Sequence, residues 1–177
     1  MGGDDVTQEI AFAFDTSLEE AKRLKEDYGH AKSSVIKDEQ FVEFVQAANK
    51  DPHYLSSLQL SEVIEEAYID ILSTLKNELR HHNLGVNIKS GFVLCGGGAQ
   101  ALGCEKLVRE FFTRRVKIGV VQRDRVSGLE TILMDHRYAS SIGLLLHQED
   151  LPQVDFIMTK GRNGVMGKIK EVLVGNF

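Results

Sequence analysis

Apolar residues recur every three or four positions along much of the chain, and this spacing predicts amphipathic helices. Helices are expected over 5–14, 17–28, 39–49, 61–82, 103–112, 128–134 and 138–146. The second has the clearest limits, with Ser17 as N-cap, Glu20 as its capping-box partner and Gly29 at its end. Its predicted buried face holds Leu18, Ala21 and Leu24.

Two other helices are predicted from their apolar faces. In 39–49 the residues at helical spacing are Phe41, Phe44, Val45 and Ala48, and Asp51-Pro52 follows as a break. The long helix is expected to begin with Ser61 as its cap. Short apolar runs bounded by glycine or charge predict strands at 91–95 and 116–121, and a shorter one at 33–36.

The stretch GFVLCGGGAQALG, residues 91–103, places three glycines where a strand meets a helix. Such a turn exposes backbone N–H groups to an anion or a flat ring, although a tight turn explains it too. No Gly-Lys-Ser/Thr follows, so the turn is not a P-loop. Gly96, Gly98 and Ala101 fit the loose dinucleotide pattern, with Asp124 near the end of the next strand. A Rossmann-type domain is therefore an alternative, although about ninety residues precede its fingerprint.

The end of the chain changes character after residue 147. The mixed sequence of 148–163 predicts a linker, and 164–177 has the period of an amphipathic helix. Its apolar face and lysines suit an anionic membrane surface, while a helix docked on the protein or a frayed end is the alternative. The predicted membrane residues are Val165, Met166, Lys168, Ile169, Lys170, Val172, Leu173 and Phe177.

Composition and charge exclude several classes of function. The net charge is −5 and no basic stripe interleaves with aromatic residues, so we expect no nucleic-acid partner. The only cysteines, Cys95 and Cys104, are too few for a disulfide scaffold or a metal framework. We expect both to be small buried residues in a reducing cytosolic compartment. No apolar run approaches the roughly 20 residues of a spanning helix.

The polar residues of the long helix predict no catalytic or metal site. His81 and His82 are adjacent, so their side chains are expected to diverge. Both lie in the last turn of the helix, where they are expected to interact favourably with the helix dipole. Glu65, Glu66 and Asp70 are expected on an exposed face. No Ser-His-Asp arrangement follows from the spacing.

The order of several motifs resembles the FtsA family of bacterial actin-like cell-division proteins. GFVLCGGGAQALG, then VKIGV and RYASSIGLLL, resembles the adenosine-motif half of these ATPases. The start, GGDDVTQEIA and TSLEEAKRLKEDYGHA, resembles the family segment after its second phosphate-binding loop. The resemblance covers nearly the whole chain, less clearly over 35–58, and the family also ends in a linker and an amphipathic helix.

The resemblance implies an α/β fold, the second lobe of the actin/hexokinase (RNase H-like) ATPases. The large subdomain would comprise 1–11 and 59–147, and a helix-rich small subdomain 12–58. The linker and the membrane-targeting helix would follow. A structural module without nucleotide remains an alternative.

The resemblance also implies residues that bind ATP. In FtsA-like proteins the adenosine-motif glycines pack against adenine and ribose, which implies this role for Gly96, Gly97 and Gly98, with Ala99 and Gln100 beside them.

A helix of the small subdomain closes over the nucleoside in the family, and its lysine maps to Lys25. Lys22 stands where the family usually has Glu, and Glu26 where it has an apolar residue. Glu26 would then accept hydrogen bonds from the ribose hydroxyls. The alternative is a solvated helix face in which Lys22 and Glu26 form an i, i+4 pair.

The resemblance finally implies partners and a location. The small subdomain of FtsA binds the C-terminal tail of FtsZ partly through an arginine that corresponds to Ser57, so this chain would use other contacts. Self-association and attachment to the cytoplasmic face of the membrane at the division site are also implied. The phosphate-binding loops and the water-positioning acid of the family precede this segment. We therefore expect Mg²⁺ to be held by the other lobe and no hydrolysis by this chain alone.

Overall fold

The computed structural model describes residues 2–48, 51–84, 88, 90–120, 132 and 135–147. The described residues up to 143 belong to one compact unit, and residues 144–147 are assigned to a second. The helices are α1 (Gly3–Ala13), α2 (Leu18–Tyr28), α3 (Ser57–His81), α4 (Cys104–Phe112) and α5 (Ala139–His147). The strands are β1 (Phe41–Val45), β2 (Pro52–Ser56), β3 (Phe92–Leu94) and β4 (Val116–Ile118). Short 3-10 turns span Ser33–Val35, Gly97–Gln100 and His136–Tyr138.

Helices α1, α2 and α3 pack together around much of the hydrophobic core. Each presents an apolar stripe to the other two, because its apolar residues recur at helical spacing. Burial of one large apolar side chain contributes about 1.5–3 kcal/mol. The fully buried residues of these stripes are Val6, Ile10, Ala21, Leu24, Leu60 and Ile64. Leu18, predicted to share the buried face of α2, is exposed instead.

The limits of α2 are those predicted. The Ser17 hydroxyl accepts a hydrogen bond of 3.2 Å from the backbone N–H of Glu20, and Gly29 is the C-cap. Helix α1 begins earlier than predicted, since Gly2 is its N-cap and the Asp5 carboxylate accepts a hydrogen bond from the Gly2 N–H.

The long helix α3 also begins earlier than predicted. Its cap is Ser56, whose hydroxyl accepts a hydrogen bond of 3.1 Å from the Gln59 N–H. The Gln59 side chain accepts one from the Ser56 N–H in return, which completes a capping box. Ser61, predicted as the cap, is fully buried inside the helix. The capping box outweighed the later serine because it satisfies two backbone donors instead of one.

The helix predicted over 39–49 is wrong, because this segment contains β1. Burial alternates along the strand, with Val42 and Phe44 buried between exposed neighbours. β1 pairs antiparallel with β2, from Phe41 opposite Ser56 to Val45 opposite Pro52. Apolar residues at both faces of the strand produced a false helical spacing. The period of two was the correct pattern.

β3, α4 and β4 form a parallel strand–helix–strand unit, in which Phe92 is paired with Val116 and Leu94 with Ile118. The predicted strands at 91–95 and 116–121 are confirmed, and so is the predicted helix between them. The observed strands are shorter than predicted. The strand predicted at 33–36 is wrong, since the chain forms a 3-10 turn there.

Three predictions about individual side chains are corrected. Cys104 is buried as expected, but Cys95 is exposed. Glu65 is largely buried and bonded to Lys32 and Ser33. The rings of His81 and His82 meet edge to face with centroids 5.0 Å apart, so they do not diverge.

The predicted subdomain division at residues 11 and 58 stays a prediction. The predicted helix 128–134, apart from residue 132, lies outside the described residues, as do the predicted linker and membrane helix. No helix among the described residues is both long and apolar enough to cross a membrane.

Candidate functional site

The glycine turn after β3 needs only one of its three glycines for backbone conformation. Gly96 has φ of +89°, which L side chains rarely adopt. The chain then makes a 3-10 turn, in which the N–H of Ala99 donates to the Gly96 carbonyl at 3.2 Å. Gly97 and Gly98 lie in that turn and have no positive φ.

The packing around Gly97 and Gly98 also leaves room for a side chain. A Cβ atom at Gly97 would come no closer than 3.9 Å to Arg137, and one at Gly98 no closer than 3.5 Å to the Tyr68 hydroxyl. Both are ordinary van der Waals distances. Packing within the described structure therefore does not require glycine at either position. Because both residues are glycines, their backbone is left open.

The open backbone faces a cleft of about 930 Å³ between the turn and α2. The turn contributes Gly97, Gly98 and Gln100, and α2 contributes Lys22, Lys25 and Glu26. Six of the eight predicted nucleotide-binding residues are thus brought together. Gly96 and Ala99 belong to the same turn but do not line the cleft.

The two walls of the cleft are joined by the segment after α2. The N–H of Ala31 donates a hydrogen bond of 2.7 Å to the carbonyl of Leu102, and His30 and Leu102 form a parallel bridge. Close approach is possible because residue 103 is a glycine with φ of +84°. Its Cβ would lie 2.7 Å from that of Lys32. The position of α2 relative to the turn is therefore set by main-chain contacts.

Helix α3 forms the floor of the cleft through Ile64 and Tyr68. The Tyr68 hydroxyl donates a hydrogen bond of 2.8 Å to the Gly98 carbonyl. Burial raises the pKa of Tyr68 well above its usual value, so the phenol stays neutral and remains a donor. Sequence reasoning missed this residue. The signal for it was its place on the buried stripe of α3, four residues after Ile64.

Lys25 has a structural contact in addition to its place at the cleft. Its ammonium group donates to the Gly3 carbonyl at 2.7 Å and to the Thr7 hydroxyl at 2.6 Å, which fastens α1 to α2. Burial lowers the pKa of Lys25 from its ordinary value, in spite of nearby Glu26. Lys22 and Glu26 are exposed.

Arg137 is a second lining residue that sequence reasoning missed. Asp135 holds its guanidinium through contacts of 2.6 and 2.8 Å and also accepts a hydrogen bond of 2.9 Å from the Gln100 amide. The hydrogen bonds from Arg137 lower the pKa of Asp135 to about 2. Asp135 thereby links Arg137 to the glycine turn. The available signal was the Asp-x-Arg spacing that ends at the first residue of RYASSIG.

Comparison with known proteins shows the family of this chain. The family described as Cell division protein FtsA matches residues 1–143. This chain belongs to the FtsA family. It is 30% identical over 150 residues to FtsA of Escherichia coli K12, covering 81% of this chain and 35% of that protein. FtsA of Bacillus subtilis is 26% identical over 146 residues, covering 82% and 31%. The chain thus spans about a third of the length of these FtsA relatives.

Solved structures show the fold. The crystal structure of MreB5 of Spiroplasma citri bound to ADP has a TM-score of 0.59 at 17% identity, covering 83% of this chain and 43% of that one. The structure of the same protein bound to AMPPNP has a TM-score of 0.51 at 16% identity, covering 82% and 44%. The predicted α/β lobe of the actin-like ATPase fold is confirmed, and the Rossmann-type alternative is not supported.

The remaining predicted residues of this FtsA-family chain lie away from the cleft or outside the described residues. Ser57 is buried at the start of α3, where its N–H and hydroxyl contact the backbone of Gln40 at 2.7 and 3.1 Å. It therefore fastens β1 to α3. The membrane residues from Val165 to Phe177 lie outside the described residues, as does Asp124.

Proposed function

We propose that this FtsA-family chain binds the adenosine side of ATP in the cleft between the glycine turn and α2. The observation that carries the proposal is the open backbone at Gly97 and Gly98. Neither packing nor conformation requires a glycine at these two positions, and both face a cleft large enough for a nucleoside. A flat base can lie against such a backbone, and a side chain there would fill the space.

The charges of the cleft favour a nucleoside over a triphosphate. Acidic and basic lining residues are nearly balanced, so no strong positive field exists for phosphates. They are Asp4, Asp5, Glu26, Asp27, Lys22, Lys25 and Arg137. The phosphates and their Mg²⁺ would be held by the other lobe of the actin-like fold. We assign no catalytic residue to this chain.

Each wall has a distinct role in the proposed complex. Gly97 and Gly98 would contact the base and ribose through their backbone, with Gly96 shaping the turn and Ala99 and Gln100 beside it. Glu26 is exposed at the cleft and its carboxylate can accept hydrogen bonds from both ribose hydroxyls. The MreB5 structures, which share this fold, contain ADP and AMPPNP, and this supports a nucleotide ligand here.

We further propose that the chain acts in cell division as a tether between the FtsZ ring and the cytoplasmic membrane. Membership of the FtsA family supports this role. Because Ser57 is buried, contacts with the FtsZ tail would come from exposed neighbours and not from this position. The segment 164–177 would bind anionic lipid at the division site, and self-association would assemble copies there.

Equilibrium binding of labelled ATP tests the nucleotide proposal. Gly97→Val places a branched side chain in the cleft at a position with room for a Cβ, so the variant should fold. Gly143→Val is the matched control, because Gly143 also has open space at its Cβ but does not line the cleft. We expect ATP binding to fall at least about tenfold in Gly97→Val, or about 1.4 kcal/mol, and to be unchanged in the control. Equal affinity in both variants would contradict the proposal.

Co-sedimentation with anionic vesicles tests the tether. The full chain is expected to pellet, and a chain cut after Lys160 to stay in solution. Neutral vesicles are the control, since attraction to headgroups depends on their charge. Failure of the full chain to pellet would rule out 164–177 as an anchor.

A further inference from the structure

The last turn of α3 carries two imidazoles and a carboxylate on one side. One potential ligand atom from each of Glu78, His81 and His82 lies within 4.8 Å of the other two. The His82 Nε2 is 3.8 Å from a Glu78 carboxylate oxygen. The spacing is i, i+3 and i+4, which places side chains together on a helix. This cluster is separate from the cleft.

The backbone at this turn is closed by its own hydrogen bonds. The His82 N–H donates to the Glu78 carbonyl at 3.0 Å, so the helical turn that spans the cluster is closed. The next residue, Asn83, has φ of +55°, and the N–H of Leu84 donates to the Leu79 carbonyl at 2.8 Å. The helix therefore ends immediately after the cluster, and all three groups come from one turn without help from another segment.

The donor set fits a divalent transition metal. Two imidazole nitrogens and one carboxylate oxygen are ligands that zinc, nickel and copper accept, whereas magnesium prefers oxygen alone. Zinc lies about 2.0–2.2 Å from such donors, so two donors of one ion are at most about 4.4 Å apart. Small rotations of exposed side chains close the present gap, since the side chains of His82 and Glu78 are 62% and 67% exposed.

The charges around the cluster also allow a cation. The C-terminal end of a helix carries a partial negative charge from its free carbonyls. The nearby cations, Lys76 and Arg80, lie on a different side of α3, where they line a pocket with Leu79 and Asn83. The carboxylate of Glu78 supplies the formal negative charge within the cluster.

We propose that Glu78, His81 and His82 form a surface site for one divalent transition-metal ion such as Zn²⁺. Water occupies the remaining coordination positions. The proposal does not depend on the nucleotide site, because the three ligands share no residue with the cleft.

Isothermal titration of the tag-free full chain with Zn²⁺ in excess Mg²⁺ tests the site. We expect one Zn²⁺ per chain. Loss of a residue that hydrogen-bonds to a metal ligand typically weakens metal binding 10–100-fold. Loss of a ligand itself should therefore lower the affinity for Zn²⁺ at least about tenfold. His81→Ala, His82→Ala and Glu78→Gln should each show this loss, and the double variant His81→Ala/His82→Ala should show no binding at this site.

Glu62→Gln is the matched control, since Glu62 is an exposed carboxylate on the same helix outside the cluster. Circular dichroism checks that each variant keeps its helices. The ¹⁵N shifts of the His81 and His82 rings should move on Zn²⁺ addition. The proposal is overturned if the wild-type chain binds no Zn²⁺, if the double variant binds it equally well, or if Glu62→Gln loses as much affinity as Glu78→Gln.

Discussion

The hydroxyl of Tyr68 lies 2.8 Å from the carbonyl oxygen of Gly98 and donates a hydrogen bond to it. This bond connects the middle of the longest helix to the turn that faces the cleft. It makes the position of the glycine turn dependent on the core, because Tyr68 is itself buried. A ligand that moves the turn would therefore also affect α3 through this hydrogen bond.

Removal of this hydroxyl should affect both stability and ligand binding. In Tyr68→Phe the Gly98 carbonyl loses its donor, and we expect the free energy of unfolding to fall by about 1 kcal/mol. ATP binding should weaken because the turn is less well positioned. Urea unfolding and ATP titration measure the two effects. Tyr54→Phe is the control, since the Tyr54 hydroxyl is exposed and contacts Glu43 only at 3.3 Å.

Glu65 joins three elements, and its replacement should destabilise the fold. Its carboxylate accepts hydrogen bonds of 2.6 Å from Lys32 and of 2.7 and 2.6 Å from the N–H and hydroxyl of Ser33. Lys32 also contacts Glu110 of α4 at 3.2 Å. Glu65→Gln should lower the free energy of unfolding by about 2 kcal/mol, because it leaves Lys32 poorly paired. Glu66→Gln on the exposed face should change it little, and equal effects would refute the assignment.

The same carboxylate predicts a pH dependence. Burial acts to raise the pKa of Glu65, but hydrogen bonds from Lys32 and Ser33 outweigh it and hold the pKa below the ordinary value of 4.5. Folding thus favours the ionised form. Its contribution to stability should be complete above about pH 4.5 and should be lost as the pH falls through the lowered pKa. Unfolding curves of wild type and Glu65→Gln should converge in acid, and a constant difference would contradict this.

Two glycines of the segment between β3 and α4 should differ in how much stability they lose on replacement by alanine. Gly103→Ala forces a side chain at φ of +84° and 2.7 Å from the Lys32 Cβ, so we expect a loss of about 3 kcal/mol. Gly97→Ala meets no close atom and should change stability by less than about 0.5 kcal/mol. Thermal unfolding of the pair measures the difference. A large loss in Gly97→Ala would mean that the turn is built for packing and not for a ligand.

The two thiols should differ in reactivity. Cys95 is exposed, whereas burial raises the pKa of the Cys104 thiol to about 11. At pH 8 a disulfide reagent should modify one thiol quickly in the folded chain and the second only on unfolding. Cys95→Ser should remove the fast phase. A fast phase that persists in this variant would place Cys104 at the surface.

Sequence patterns predicted most helices because their caps and apolar faces are local. Ser17, Glu20 and Gly29 defined α2 without reference to any other segment. The segment around Phe44 could not be assigned in this way, since its apolar residues satisfy both a helical and a strand period. Pairing with β2 decided between them, and that contact is not local.

The candidate site was likewise predictable only where its residues form a local pattern. The glycine turn was visible as a motif, and the family resemblance joined it to α2. The contributions of Tyr68 and Arg137 depend on how α3 and the segment at Asp135 pack against the turn, which no local pattern encodes. The burial of Glu65 was missed because a carboxylate on a helix is usually solvated. Its partners, Lys32 and Ser33, come from a loop some thirty residues earlier.

We propose that one ligand contacts both the glycine turn and α2. The most direct test is an NMR titration of the isotope-labelled chain with ATP. We predict that the largest amide shifts fall on Gly96 to Gln100 and on Lys22 to Glu26 together, with little change around Phe92 and Phe112. Shifts confined to one wall, or centred outside the cleft, would contradict the claim.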